Sequence, residues 1–171
     1  MYNPPESGTD SLEFIELYNN DPNPVDLENY YFAAGVTWTF PAVTLQPGEY
    51  FVVAVDSMAM MNTFGITTYM WTSGGLSNGG ELIQINNALG FTVDSVEYDD
   101  NSPWPTESDG NGPSLVLCDP TVDNADGANW SASQLYQTTN ADGDTIWASP
   151  GIENCLIAPD PDFTADNTTI T

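Results

Sequence analysis

Short runs of apolar, aromatic and β-branched residues recur along the whole chain, and residues that favour turns separate them. The run at 50–55 (YFVVAV) is continuously apolar, which is typical of a buried core strand. The run at 13–18 (EFIELY) ends at an Asn-Asn-Asp-Pro turn. Further strands are predicted at residues 25–32, 36–40, 82–85, 92–98, 114–118 and 129–132, the last of them being the final strand or nearly so.

Turns and one short helix complete this pattern. Pro47 and Gly48 are placed for a type II turn before the run at 50–55, and residues 86–90 (NNALG) link a hairpin. Residues 57–64 (SMAMMNTF) are the only helix candidate. Because strands do not alternate with helices, the pattern predicts an all-β sandwich or barrel rather than a nucleotide-binding α/β fold.

All charged side chains of this chain are acidic. Its 171 residues include 25 Asp and Glu and no Lys, Arg or His, which gives a formal net charge of -25. Nucleic-acid binding is therefore excluded, because it depends on Lys and Arg that neutralise phosphates, and anionic membrane surfaces repel the chain. Membrane insertion is not expected either, since no apolar run approaches the ~18 residues of a membrane helix. Salt, bound cations or a basic partner must relieve the self-repulsion.

The same absence of bases predicts that the chain is not an enzyme. Nucleophilic catalysis needs a base beside Ser, Thr or Cys, and without His and Lys the usual triads cannot form. Paired carboxylates could in principle hydrolyse glycosides. The Asp and Glu residues lie mainly in predicted turns, however, which favours a solvated surface role.

Two cysteines, Cys118 and Cys155, lie far apart and match no metal or redox spacing. Without His, two thiolates are too few for a zinc site. We expect a disulfide typical of an oxidising compartment, which would close a loop of about 36 residues and contribute on the order of 4 kcal/mol. Two separate buried thiols are the alternative.

Calcium is the one cofactor that the acidic loops suggest, because it prefers carboxylate, amide and carbonyl oxygens. Three loops are rich in these groups, at residues 99–111, 119–127 and 140–144. The leading ligand candidates are Asp123, Asp126, Asp142 and Asp144. No loop fits the EF-hand pattern, and the alternative is that Asp, Asn and Gly simply form turns.

Sugar binding is a further hypothesis, because exposed aromatic rings can stack on sugars. Trp71, Trp104 and Trp147 lie among loop residues, whereas Trp38 and Trp130 are predicted to be in the core. For Trp104, the flanking prolines favour a packed corner and a structural role.

A series of short motifs then carries a family resemblance. In order, they are 13–19 (EFIELYN), 25–27 (VDL), 47–50 (PGEY), 75–83 (GLSNGGELI), 93–96 (VDSV), 103–105 (PWP), 109–115 (DGNGPSL), 129–130 (NW) and 149–151 (SPG). Each motif alone is weak, but the ordered set over residues 1–155 resembles the bacterial branch of the lamin tail domain family. The resemblance implies an immunoglobulin-like β-sandwich of the lamin-tail type, without catalytic residues.

The resemblance also sets the expected domain organisation. Residues 1–156 are interpreted as the lamin-tail-like β-sandwich, and residues 157–171 as an acidic Pro-rich linker and the start of a following β-module. The segment 162–165 (DFTA) resembles the start of a polycystic-kidney-disease-like (PKD-like) repeat. Family members show an additional strand just before the segment matching residues 1–4, so we expect the chain to be a fragment.

The resemblance also implies an accessory module in a large secreted or surface protein, beside nucleases, phosphoesterases, adhesive repeats and sorting domains. The leading hypothesis is therefore a structural or adhesive module on the cell surface, for example in a filament or gliding-type adhesin. Its partners would be neighbouring modules, other surface proteins or glycans. The alternatives are an accessory domain of a secreted hydrolase and a carbohydrate-binding module. Four three-residue signals, at Ser11, Ser57, Ser95 and Thr145, resemble the O-glycosylation signal of Bacteroidota secreted proteins.

Overall fold

The computed structural model describes residues 1–153 and residue 155. Its strands are β1 (Phe14–Tyr18), β2 (Val25–Asp26), β3 (Tyr31–Ala34), β4 (Thr44–Leu45), β5 (Tyr50–Ala54), β6 (Tyr69–Met70), β7 (Glu81–Asn86), β8 (Thr92–Tyr98), β9 (Leu115–Leu117), β10 (Trp130–Ala132), β11 (Tyr136–Thr139) and β12 (Thr145–Trp147). The described residues also form one α-helix, α1 (Ser57–Phe64), and two 3₁₀ helices, Thr106–Ser108 and Gly127–Asn129. None of the helices in this part of the chain is long and apolar enough to span a membrane.

The strands confirm the all-β prediction. One three-stranded sheet has the order β1-β5-β6, and a second has the order β3-β7-β8. β1 and β5 are antiparallel, with Phe14 opposite Ala54 and Tyr18 opposite Tyr50. Three further antiparallel pairs, β2–β4, β9–β10 and β11–β12, extend the structure.

The main core contains inward-facing side chains from both three-stranded sheets, which makes the fold a sandwich. Its buried members from the strands are Ile15, Phe32, Phe51, Val53, Ile85 and Tyr98. Phe40 is 1% exposed and packs between Phe32 and Phe51, with ring centroids 5.5 and 5.6 Å away. Burial of large aromatic side chains such as these supplies much of the stability of a domain without internal ion pairs.

A second core lies beside Phe14 of β1 and Ala54 of β5. Met60 of α1 is fully buried there, and Ile146 of β12 joins it. The helix begins where the Asp56 carboxylate accepts hydrogen bonds from the backbone N–H groups of Met58 and Ala59. Asp at this position satisfies N–H groups that have no partner within a helix. The cap therefore confirms the predicted helix and sets its first residue.

The Pro47–Gly48 turn also follows the prediction. The N–H of Glu49 donates to the carbonyl of Gln46 at 3.0 Å, and Gly48 has a φ of 77°. A type II turn requires a positive φ at its third position, which glycine adopts without strain. This turn fixes the start of β5.

Three strand predictions need correction. Residues 25–32 form two short strands, β2 and β3, because the chain turns at Asn29, whose φ is 62°. Residues 36–40 form only isolated bridges, at Thr37 and Thr39. The predicted strand at 129–132 is not close to the end of the fold, because the hairpin β11–β12 follows it. The strands of this hairpin are short and largely polar, so their sequence gives little periodic signal. The linker and the PKD-like segment at 157–171 lie outside the described residues.

Candidate functional site

One concave feature of the described residues is a groove of about 920 Å³, to which both β1 and β9 contribute lining residues. Apolar side chains from both strands, Ile15 and Leu17 of β1 and Leu115 and Leu117 of β9, are among its lining residues. An apolar groove with a few polar groups is the usual form of a binding site. We therefore treat this groove, called here the β1–β9 groove, as the candidate functional site.

Two buried hydroxyl groups also line the groove. Ser114 is 2% exposed and Ser149 is 9% exposed. Neither hydroxyl has a hydrogen-bond partner among the described residues. An unpaired buried hydroxyl is costly, so each of these serines is an unsatisfied polar group beside the groove.

The carboxyl group of Glu16 lines the same groove. It accepts a hydrogen bond from the backbone N–H of Gly151. Burial raises its pKa to about 7, because the charged form loses its water, although the Gly151 bond opposes this effect. At neutral pH the groove thus holds a carboxyl group that a cationic side chain would stabilise in its ionised form.

Glu13, directly before β1, has a buried side chain that is 4% exposed. It accepts a hydrogen bond from the N–H of Leu76 at 3.1 Å. Burial raises the pKa of Glu13 to about 7, against the lowering effect of the Leu76 bond. The prediction from sequence placed acidic groups mainly on the solvated surface, and an isolated Glu inside a strand gave no signal that it would be buried.

Two of the tyrosines that line the groove, Tyr2 and Tyr98, have raised pKa values. The Tyr98 hydroxyl donates to the carbonyl of Ser77 at 2.7 Å, and burial together with the Glu81 carboxylate raises its pKa. Burial also raises the pKa of Tyr2 to about 12. The two rings pack against each other with centroids 4.8 Å apart. Both residues therefore act as packing groups rather than as acids at neutral pH.

The predicted disulfide is present. Cys118 and Cys155 are bonded, with Cα atoms 5.3 Å apart. Both residues line the β1–β9 groove, so the bond attaches the chain after β12 to the end of β9. The alternative of two separate thiols does not apply, since neither cysteine is free.

The four calcium candidates lie in two different loops. Asp123 and Asp126 precede the second 3₁₀ helix, and each accepts a hydrogen bond from a backbone N–H two residues ahead. Asp142 and Asp144 lie in the β11–β12 turn, where Asp142 accepts from the Ser7 hydroxyl at 3.0 Å. Among the described residues, no three Asp, Glu, Cys or His side chains form a group that could hold a metal ion. Calcium binding by these residues stays a prediction.

The tryptophans proposed for sugar binding occupy different environments. Trp71 and Trp104 belong to the main core, at 5% and 7% exposure, so neither offers a free face. Trp104 packs on Trp130 with centroids 5.6 Å apart, which confirms its structural role. Trp147 is half-buried beside the exposed ring of Tyr136 and is the remaining candidate.

The O-glycosylation candidates are all half-buried. Ser57 is the first residue of α1, Ser95 lies in β8 and Thr145 begins β12. The Ser11 hydroxyl donates to the Glu6 carboxylate. These signals stay predictions, because half-burial neither requires nor forbids a glycan.

The comparison with known families adds the decisive finding. Residues 1–100 match the family model described as Lamin Tail Domain. The chain belongs to the lamin tail domain family. The match covers β1 to β8, whereas the motifs after residue 100 lie beyond it. Lamin tail domains are immunoglobulin-like modules and are typically non-catalytic. No curated protein and no solved structure matches the chain.

Proposed function

We propose that this lamin tail domain is a non-catalytic structural or adhesive module of a large secreted or cell-surface bacterial protein, such as an extracellular filament or a gliding-type adhesin. The observation that carries the proposal is the Cys118–Cys155 disulfide within an immunoglobulin-like module. Disulfides form and persist in oxidising environments outside the cytosol.

The charge of the domain supports the same proposal. A net charge of -25 without any base produces strong self-repulsion, which high extracellular ionic strength screens. Net charge of this size also keeps modules soluble at the high local density of a surface layer. Its partners would be neighbouring modules of the same polypeptide or other surface proteins.

The packing of the domain fits a mechanical rather than a chemical role. β1 and β5 pair over five residues, and the disulfide ties β9 to the chain after β12. Two carboxyl groups with raised pKa values, those of the buried Glu13 and the half-buried Glu16, are each engaged by a backbone N–H. The β1–β5 pairing and the disulfide support a role that requires resistance to unfolding outside the cell.

An in-frame deletion of residues 1–155 from the parent gene tests the proposal. We expect the cells to lose attachment or surface-layer cohesion while their secreted hydrolase activities stay unchanged. Reintroducing the intact segment should restore attachment. Loss of a hydrolase activity with normal attachment would instead support the alternative of an accessory domain on a secreted enzyme.

A further inference from the structure

The hairpin between β7 and β8 carries three apolar side chains that are exposed to solvent. Leu89 is 82% exposed, Phe91 67% and Val93 54%. Exposed apolar residues that are scattered singly are ordinary on a protein surface, whereas a group of them marks a contact site. These three lie close together in the sequence, in the turn and at the start of β8. Residues 89–93 are called here the hairpin tip.

Hydrogen bonds hold the turn of this hairpin in one conformation. The side-chain carbonyl of Asn87 accepts from the backbone N–H groups of both Leu89 and Phe91, each at 3.0 Å. The backbone N–H of Asn87 donates to the carbonyl of Phe91 at 2.9 Å. The side-chain amide of Asn86, which is buried, donates to the carbonyl of Gly90 at 3.2 Å. Leu89 and Phe91 are therefore presented by a preorganised loop, which loses little conformational entropy when a partner covers it.

The sequence around the hairpin tip is free of charge. Residues 82–93 contain no Asp or Glu, although 25 of the 171 residues of the chain are acidic. Residues 29–48 contain none either, and they include β3, which pairs with β7 and places Tyr31 opposite Asn86. The next acid along β8 is Asp94, whose carboxylate accepts a hydrogen bond from the side chain of Asn124. The tip and the strand end beside it thus combine apolar exposure with an absence of acids.

We propose that the hairpin tip is a contact between two copies of this chain, in which Leu89 and Phe91 of one copy pack against the same residues of the other. A two-fold interface brings the same surface patch to both sides. A contact through the acidic surface would place carboxylates opposite carboxylates, and the sequence contains no base to pair with them. At the tip, uncharged apolar side chains meet, and the burial of their surface drives association.

Charge selects a second copy over other occupants of the tip. A basic protein would be attracted to carboxylates, which residues 82–93 lack, and an anionic membrane would repel the whole domain. A second copy needs a contact that is free of acids on both sides, and the tip provides it. The tip is small, which indicates a weak dimer that forms at high local concentration. This inference goes beyond the surface role proposed above, since a monomeric domain could fill that role and a domain elsewhere could still dimerise.

The test measures the association state of the full chain by sedimentation equilibrium, from micromolar to millimolar concentration, at low and high salt. A double variant, Leu89→Ser with Phe91→Ser, removes the apolar side chains of the tip. Asn87→Ala keeps them but removes the carbonyl that orders the turn. Met58→Ser is the matched control, because Met58 is 71% exposed but lies on α1, outside the tip. Thermal unfolding shows that each variant folds, and NMR follows the Leu89 methyl and Phe91 ring signals.

We expect a reversible monomer–dimer equilibrium that high salt strengthens, because salt screens the repulsion between two chains of net charge -25. The Leu89 and Phe91 signals should shift as the protein concentration rises. The double variant should weaken dimerisation about tenfold or more, because each lost apolar contact is present twice in a two-fold dimer. Asn87→Ala should weaken it by a smaller factor, since the turn then loses order when it is free. Met58→Ser should leave the dimer unchanged.

Several results would overturn the proposal. A chain that stays monomeric at millimolar concentration in high salt would do so. A dimer that the double variant leaves intact would place the contact elsewhere, and one that Met58→Ser weakens equally would show unspecific apolar association. A monomeric chain that binds phosphatidylcholine vesicles, with binding lost in the double variant, would assign the tip to a lipid surface.

Discussion

Gly127 offers a direct test of how Trp104 is packed. Gly127 begins the second 3₁₀ helix and lies against the face of the indole. A Cβ atom added at this position would lie 2.8 Å from three ring atoms of Trp104. Because non-bonded carbon atoms prefer a separation of roughly 3.5–4.0 Å, the ring or the helix must move by about 1 Å. A Gly127→Ala substitution therefore overpacks a core that has no spare room.

The expected magnitude follows from two opposing effects. Overpacking a well-packed core costs about 1–3 kcal/mol. Replacing glycine by alanine without strain adds about 0.4–1 kcal/mol to the free energy of unfolding, because the unfolded chain loses conformational entropy. We expect Gly127→Ala to lower the free energy of unfolding by about 1–2 kcal/mol, which lowers Tm by roughly 2–8 °C for a chain of this size.

The assay is urea and thermal unfolding, followed by tryptophan fluorescence, and Gly79→Ala is the matched control. Gly79 is exposed, and an added Cβ would meet nothing within 4 Å. The control should be neutral or slightly stabilised. Combining Gly127→Ala with Trp104→Phe should cost less than the sum of the two single changes, because the smaller ring relieves the clash. If Gly127→Ala behaves like Gly79→Ala, the packing described for Trp104 is wrong.

Four further predictions concern the disulfide, the buried acid and the two untested ligands. Replacing Cys118 and Cys155 by Ser should cost about 4 kcal/mol of unfolding free energy in urea, since the bridge spans 37 positions; a cost below about 1 kcal/mol would contradict the entropic argument. Burial raises the pKa of Glu13 from 4.5 to about 7, so the native state binds more protons than the unfolded state between these values. The contribution of Glu13 to stability is therefore present below pH 4.5 and lost as pH rises through 7. Between pH 4 and pH 8, the free energy of unfolding of the Glu13→Gln variant should rise by about 2–3 kcal/mol relative to that of the wild type. A difference that does not change with pH would contradict this reasoning. If calcium binds the predicted aspartates, saturation at 100 times Kd should add about 2.7 kcal/mol, whereas a melting curve unmoved by chelator counts against a structural ion. If the domain binds glycans, Trp147→Ala should abolish signals on a glycan array, and an array without any signal removes that function.

The sandwich could be predicted because its strongest strands carry local signals. The apolar run that forms β5 and the turn at Pro47 and Gly48 are dictated by side-chain burial and backbone freedom, both readable from residue types. Asp56 likewise predicts the start of α1, since its carboxylate caps the helix. Features of this kind need no knowledge of distant contacts.

The candidate site could not be predicted in the same way. The β1–β9 groove depends on which strands the fold brings to one cavity, and residues 14–18 and 115–117 are far apart in the sequence. The burial of Glu13 depends on the N–H of Leu76, 63 residues later. Trp71 lies among loop residues in the sequence, yet its side chain belongs to the main core and its indole N–H donates to the carbonyl of Gly74. Tertiary contacts decide each of these cases.

The function proposed above requires that this lamin tail domain lies on the outside of a bacterial cell. An antibody raised against residues 1–153 tests it on intact and permeabilised cells of the source organism, with a cytosolic protein as the control antigen. We expect the antibody to stain intact cells and mild external protease to remove the signal. Staining that appears only after permeabilisation, together with the control antigen, would contradict it.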